Sequence, residues 1–164
     1  MTQAAQIQQT EAPPEAGAGA ILQYVTFLVD GNSYGVEINL VREIKKWTKP
    51  TELPNQPIYN RGVLNLRGTI VPVHDLRSRF GGALTEATED HVVVIVWIGA
   101  KTVGVLVDAV SDIITVQESS IQAVPADQSP GNGQMIGGLV SNEDEMVAIL
   151  DLNMLFPNED GESF

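Results

Sequence analysis

Apolar and polar residues alternate along this chain in short runs separated by turn-forming residues. "ILQYVTFLV" (21–29) stops at "DGNS", and "YGVEINL" resumes beyond it. Two extended runs around a turn signal predict a β-hairpin. "VVVIVWI", "GAK" and "TVGVLV" predict a second one. "GTIVPVHDL" and "EMVAILDL" predict two more strands. Helical periodicity is weak, so helices are expected only as short pieces after Asp75 and Asp151 or within Pro54–Asn60. The run Val92–Ile98 has no polar alternation. A strand apolar on both faces must be covered on both faces. It is expected to lie between two halves of the molecule and bury their seam.

The two hairpins superpose in sequence with a shift of 69 residues, which places Gly35-Val36 on Gly104-Val105, Asn39 on Asp108, Val41 on Val110 and Ile44 on Ile113. Further along the shift is 76, so Gly62 falls on Gly138, Asp75-Leu76 on Asp151-Leu152 and Phe80 on Phe156. An insertion around "ADQSPGNG" accounts for the change. The endings "DLRSRF" and "DLNMLF" read as one element used twice. A duplicated unit of four or five short strands predicts two small barrels. The halves are expected at about 21–80 and 91–156. Residues 1–20 hold too few apolar side chains to offset ordering entropy and read as a disordered leader. Residues 157–164 read as a frayed acidic tail.

Composition narrows the functional classes. The 164 residues include no cysteine, which excludes disulfides, thiolate metal sites and a cysteine nucleophile and suits a reducing compartment. No basic segment precedes an apolar stretch at the N-terminus, so no signal peptide is expected. The longest apolar run is far too short to span a bilayer as a helix. A net charge of −12 repels phosphate backbones and anionic lipid. The charge is uneven: eight of the nine Lys and Arg lie from Arg42 to Arg79, whereas fourteen acidic residues and one base follow Phe80. This predicts a basic middle and an acidic second half, suited to partners of different charge.

The stretch "NLRGTIVPVHDL" (65–76) holds the one catalytic-looking pair, His74-Asp75. Neighbours in a strand point to opposite faces, so they are poorly placed as base and orienter. Asp75 recurs as Asp151 while His74 is replaced by Leu150, which marks the Asp as a cap for the following turn or helix. "EDE" at Glu143–Glu145 lacks the spacing of a calcium loop and reads as a hairpin turn. The glycine pairs near Gly131 and Gly137 lack a following Lys-Ser/Thr, and no nucleophile elbow is present. No catalytic, metal or cofactor site is expected. Arg67, in a turn, reads either as a clamp onto a carboxylate such as Glu43 or as a fork presented to a partner. Pro72 has no N–H for a ladder and is expected at an edge or bulge. Trp47 and Trp97 read first as core residues, with Trp47 among Lys45, Lys46 and Lys49 a candidate interface anchor.

The segments "YGVEINLVREI", "RGVLNLRGTIVPVHDLRSRFG" and "VGVLVDAVSDI" resemble those of CheW-like proteins, the coupling proteins of bacterial chemotaxis, over about residues 21–156. The resemblance implies an all-β fold of two pseudo-symmetric, intertwined five-stranded β-barrels of SH3-like or OB-like type. It implies a non-catalytic adaptor without cofactor that joins a CheA-type histidine kinase to the cytoplasmic tips of methyl-accepting receptors. Such a protein is cytoplasmic and recruited to receptor arrays, with neither nucleic acid nor membrane insertion involved. By family motif, the receptor groove between the barrels would use Val41, Glu43, Gly62, Arg67, Val105, Val107 and Asp108. The kinase contacts would involve Trp47, Gln122 and Asp127; Gln122, Ala126 and Asp127 stand where some relatives carry charged and aromatic side chains. The same resemblance allows the equivalent coupling subunit of a pilus or gliding pathway.

Overall fold

The computed structural model describes residues 20–125 and 135–156. The leader apart from Ala20, the insertion at 126–134 with Asp127, and the tail at 157–164 lie outside the described residues. Among the described residues, ten strands run as β1 (Ile21–Val29), β2 (Asn32–Glu37), β3 (Val41–Lys46), β4 (Asn60–Leu66), β5 (Thr69–Asp75), β6 (Val92–Ile98), β7 (Lys101–Val107), β8 (Ala109–Gln117), β9 (Ile136–Asn142) and β10 (Glu145–Leu150). One-turn helices α1 (Leu76–Arg79) and α2 (Leu152–Leu155) follow Asp75 and Asp151, as expected. No helix forms within Pro54–Asn60: residues 54–59 are turns and irregular chain, and Asn60 opens β4.

The strands form two five-stranded sheets, ordered β9-β10-β2-β1-β8 and β3-β6-β7-β5-β4. Each sheet therefore takes its β1–β2-type hairpin from one repeat and its other three strands from the other repeat. Chain crossings between the sheets are short: the 3₁₀ turn Ile38–Leu40 joins β2 to β3, and Asp108 alone joins β7 to β8. Single bridges, Thr51 to Val63 and Gln122 to Leu139, link the chain beyond β3 and β8 to β4 and β9 and close the sheets into barrels. We refer to the β9-β10-β2-β1-β8 unit as the first barrel and the other as the second.

The duplication extends to register. Ile149 lies opposite Gly35 in the first barrel, and Val73 opposite Gly104 in the second. Val25 pairs with Ile113 as Val94 pairs with Ile44. Even the bulges coincide: Phe27–Val110 and Val96–Val41 follow one register shift, and Gly62 and Gly138 follow another. Gly62 and Gly138 are shared because the closing segment crosses them. A Cβ on Gly62 would stand 2.3 Å from the Thr51 carbonyl oxygen, and one on Gly138 would stand 2.5 Å from Ile121 Cγ2.

Three apolar clusters hold the molecule together. Leu66, Val71, Val73, Val93, Ile95 and Leu106 fill the second barrel; Tyr24, Ile114, Val140, Val147 and Ile149 fill the first. The largest cluster is the seam, where Phe27, Val29 and Val36 meet Val94, Val96, Ile98, Val103, Val105 and Val107. Strand β6 thus sends Val93 and Ile95 into its barrel and Val94, Val96 and Ile98 into the seam, which explains its unbroken apolar run. The repeated Asp-Leu endings serve the same joint. Leu76 and Leu152 are buried in the seam, and each terminal Phe reaches across it. Phe80 stacks on Tyr34 at 5.1 Å, and Phe156 meets His74 edge-on at 4.6 Å. Arg79 Nε donates to the Leu155 carbonyl at 2.8 Å, tying α1 to α2.

Candidate functional site

His74 and Asp75 part company as strand alternation requires. The His74 ring is buried between Tyr59 and Phe156. Burial, followed by the nearby Arg79 charge, lowers its pKa to about 4. The fully buried Asp75 accepts from Ser78 N at 3.4 Å, Thr85 N at 2.7 Å, Thr85 Oγ1 at 2.8 Å and Arg61 Nη1 at 3.0 Å. It is the cap expected from sequence and also the hub of a polar network. Asp151 caps α2 by accepting from Asn153 N at 3.1 Å and Met154 N at 3.2 Å.

Arg67 and Gly68 both adopt positive φ in the turn between β4 and β5, at 52° and 89°. Asn65 Oδ1 accepts the Gly68 N–H at 2.8 Å and stabilises that turn. The turn aims the Arg67 guanidinium at Glu43 on β3, the terminal strand of its sheet, and the two form a hydrogen-bonded ion pair. The bond to Arg67 holds the Glu43 carboxyl below its ordinary pKa, and Glu43 in turn raises that of Arg67. The Arg67 side chain nevertheless remains 64% exposed. It therefore clamps a turn while offering unused donors to solvent. Val41, beside it on β3, is half-buried against the seam cluster.

The other candidates occupy different places. Val105 and Val107 are buried in the seam, not open to a groove in this conformation. Gly62 is buried beneath the Thr51 backbone with φ of +127°. Asp108, at the β7–β8 crossing, accepts the Asp30 N–H at 2.8 Å and lies 3.5 Å from His91 Nε2. Trp47 is half-buried against the second barrel's interior, with the Arg61 guanidinium 5.3 Å from its ring centroid. Gln122 is exposed and bridges Leu139, and Asp127 lies outside the described residues. Trp97 is 43% exposed, so it is not the core residue its apolar run suggests. Pro72 is not on an edge strand, since β5 runs between β7 and β4. Val63 exchanges hydrogen bonds with Thr51 on its other side, so Pro72 faces a non-hydrogen-bonded pair. Its pairing with β7 starts only at Val73.

Sequence reading missed Arg61 and Thr85, which hold Asp75. Arg61 has no counterpart in the second repeat, where Gly137 takes its place, and Thr85 sits in a polar linker with no signal of its own. Among the described residues, no group of three His, Cys, Asp or Glu side chains converges as a metal site, and no helix is long and apolar enough to cross a membrane.

Exchanged hairpins, a shared seam and a solvent-facing charge clasp define a paired-barrel domain. Its sequence matches the CheW-like domain family over residues 23–160. It is 37% identical over 141 residues to the chemotaxis protein CheW of Rhizobium meliloti strain 1021, covering 86% of this chain and 91% of that protein. It is 34% identical over 139 residues to the chemotaxis protein CheW of Bacillus subtilis strain 168, covering 85% and 89%. The crystal structure of the scaffolding protein TtCheW from Thermoanaerobacter tengcongensis superposes with a TM-score of 0.79 at 32% identity, covering 88% of this chain and 99% of that one. The chain belongs to the CheW-like family of chemotaxis scaffolds.

Proposed function

We propose that the chain is a non-catalytic adaptor that couples a CheA-type histidine kinase to the cytoplasmic tips of methyl-accepting receptors, and is recruited with them to receptor arrays. The observation that supports this best is the Arg67–Glu43 clasp. Its two charges pair with each other, the Arg67 side chain is 64% exposed, and half-buried Val41 lies beside Glu43 on the terminal strand of the sheet. Such a pair can fix the register of a receptor helix bundle while Val41 contributes apolar contact. The kinase would dock elsewhere, on surfaces that include Trp47 and Gln122. Signalling then requires that kinase-on and kinase-off arrangements bind the coupler with different free energies, and about 1–3 kcal/mol of coupling is ordinary.

The test is Arg67→Ala, assayed by circular dichroism, by pull-down with a receptor cytoplasmic fragment, and by the activity of a CheA-type kinase in the reconstituted mixture. A folded spectrum with weakened receptor capture and lower kinase activation is expected. Unchanged capture and activation would remove the contact role, and a lost folded spectrum would leave Arg67 as a clamp only.

A further inference from the structure

The two barrels match in register but differ at one end. In the second barrel the chain leaving α1 folds back over the strand ends. There Thr85 and Arg61 both donate to Asp75, Arg61 also donates to the Thr85 carbonyl at 2.9 Å, and Ala87 packs on the interior cluster. In the first barrel the equivalent carboxylate is Asp151, and Gly137 stands where Arg61 would be. Among the described residues, the Asp151 carboxylate accepts only the two backbone N–H bonds of its own helix cap.

An open cleft of about 560 Å³ occupies this end of the first barrel. Leu40, Ile121 and Leu152 are among its apolar lining residues, and Trp97 reaches it from β6 of the second barrel. Trp97 is half-exposed there although its strand neighbours Val96 and Ile98 are buried. Glu37, Glu118 and Asp151 also line the cleft, and no Lys, Arg or His does so among the described residues. Burial and then the Glu37 and Glu118 charges raise the pKa of the Tyr24 hydroxyl in its wall.

We propose that this cleft docks an extended segment of a partner protein that carries an arginine or lysine flanked by apolar side chains. The cation would satisfy the carboxylates at Asp151, and its stem and neighbours would cover Trp97. The second barrel already shows the arrangement within one chain: Arg61 sits between Asp75 and the face of Trp47. The chain's own residues 157–164 are the rival occupant. They carry Glu159, Asp160 and Glu162 and no base, so charge disfavours them in an acidic cleft. The assignment is independent of the receptor contact proposed at Arg67.

The test is a nuclear magnetic resonance titration of the full chain with a capped peptide of sequence Leu-Arg-Leu-Thr-Leu, read at the indole N–H of Trp97 (assigned through Trp97→Phe). Saturable movement of the Trp97 signal is expected, with the Trp47 signal still. Glu37→Gln combined with Glu118→Gln and Asp151→Asn, which keeps a capping oxygen, should weaken binding by about tenfold or more. The proposal is overturned by a Trp97 signal that does not respond, or by equal response to the peptide with Glu in place of Arg. It is also overturned if Phe164→Ala alone moves that signal without peptide, which would give the cleft to the chain's own tail.

Discussion

Replacing Asp75 and Asp151 separately by alanine compares one sequence element in two settings. Both residues end an equivalent strand and cap an equivalent helix. Asp75→Ala strands the Thr85 N–H and hydroxyl, two well-formed buried donors, along with the longer Ser78 bond. Each unsatisfied buried donor costs about 1–3 kcal/mol. Arg61 loses its ion pair but keeps the Thr85 carbonyl and the Trp47 face, and it is itself partly exposed, so its share is small. With the lost helix cap the total is about 3–5 kcal/mol. Asp151→Ala loses only a helix cap, about 1 kcal/mol. For a domain of this size the corresponding drops in melting temperature are roughly 6–20 °C and 2–4 °C. Urea denaturation monitored by circular dichroism should show separated midpoints with unchanged slopes. Losses within about 1 kcal/mol of each other would refute the reasoning, because they would mean that the Arg61–Thr85 network adds nothing to the cap.

The two shared glycines should differ in whether they can be rescued. Gly138→Ala meets a methyl of Ile121, so Ile121→Ala should recover part of the roughly 1–3 kcal/mol lost; Gly62→Ala meets the Thr51 carbonyl at positive φ, and no side-chain truncation should restore it in urea denaturation. His74 makes stability depend on pH. Its folded pKa of about 4 lies below the unfolded value, so the unfolded chain binds the proton first and stability falls as pH drops from about 6.5 to 4, by on the order of 3 kcal/mol. His74→Leu, which copies Leu150 of the other repeat, should flatten that part of the curve, and equal slopes in wild type and variant would contradict it.

Much of the fold was legible because the apolar pattern is local information. The hairpins, the strand buried on both faces and the Asp-capped turns follow from alternation, turn residues and capping chemistry. The repeat was legible because the shared glycines, Asp75 with Asp151 and Phe80 with Phe156 are positions where few other side chains fit. The candidate site was less legible. Arg67–Glu43 was one of two readings open to an arginine in a turn. Trp97 looked like core because its neighbours are apolar, yet it is the next-to-last residue of β6 and lines the open cleft.

An all-β, twice-built chain with a seam strand, structural carboxylates and an uneven charge could be read from the residues alone, because each of these is written in the periodicity and residue type of a short segment. Which hairpin completes which barrel emerged from the folded molecule, since apolar strands of either repeat carry the same alternation. The folded molecule alone showed that Val105 and Val107 face the seam, that Arg61 and Thr85 close over Asp75, and that Asp151 faces an open acidic cleft. Those outcomes depend on contacts between residues far apart in the chain, where packing and charge pairing choose among partners that local pattern leaves equivalent.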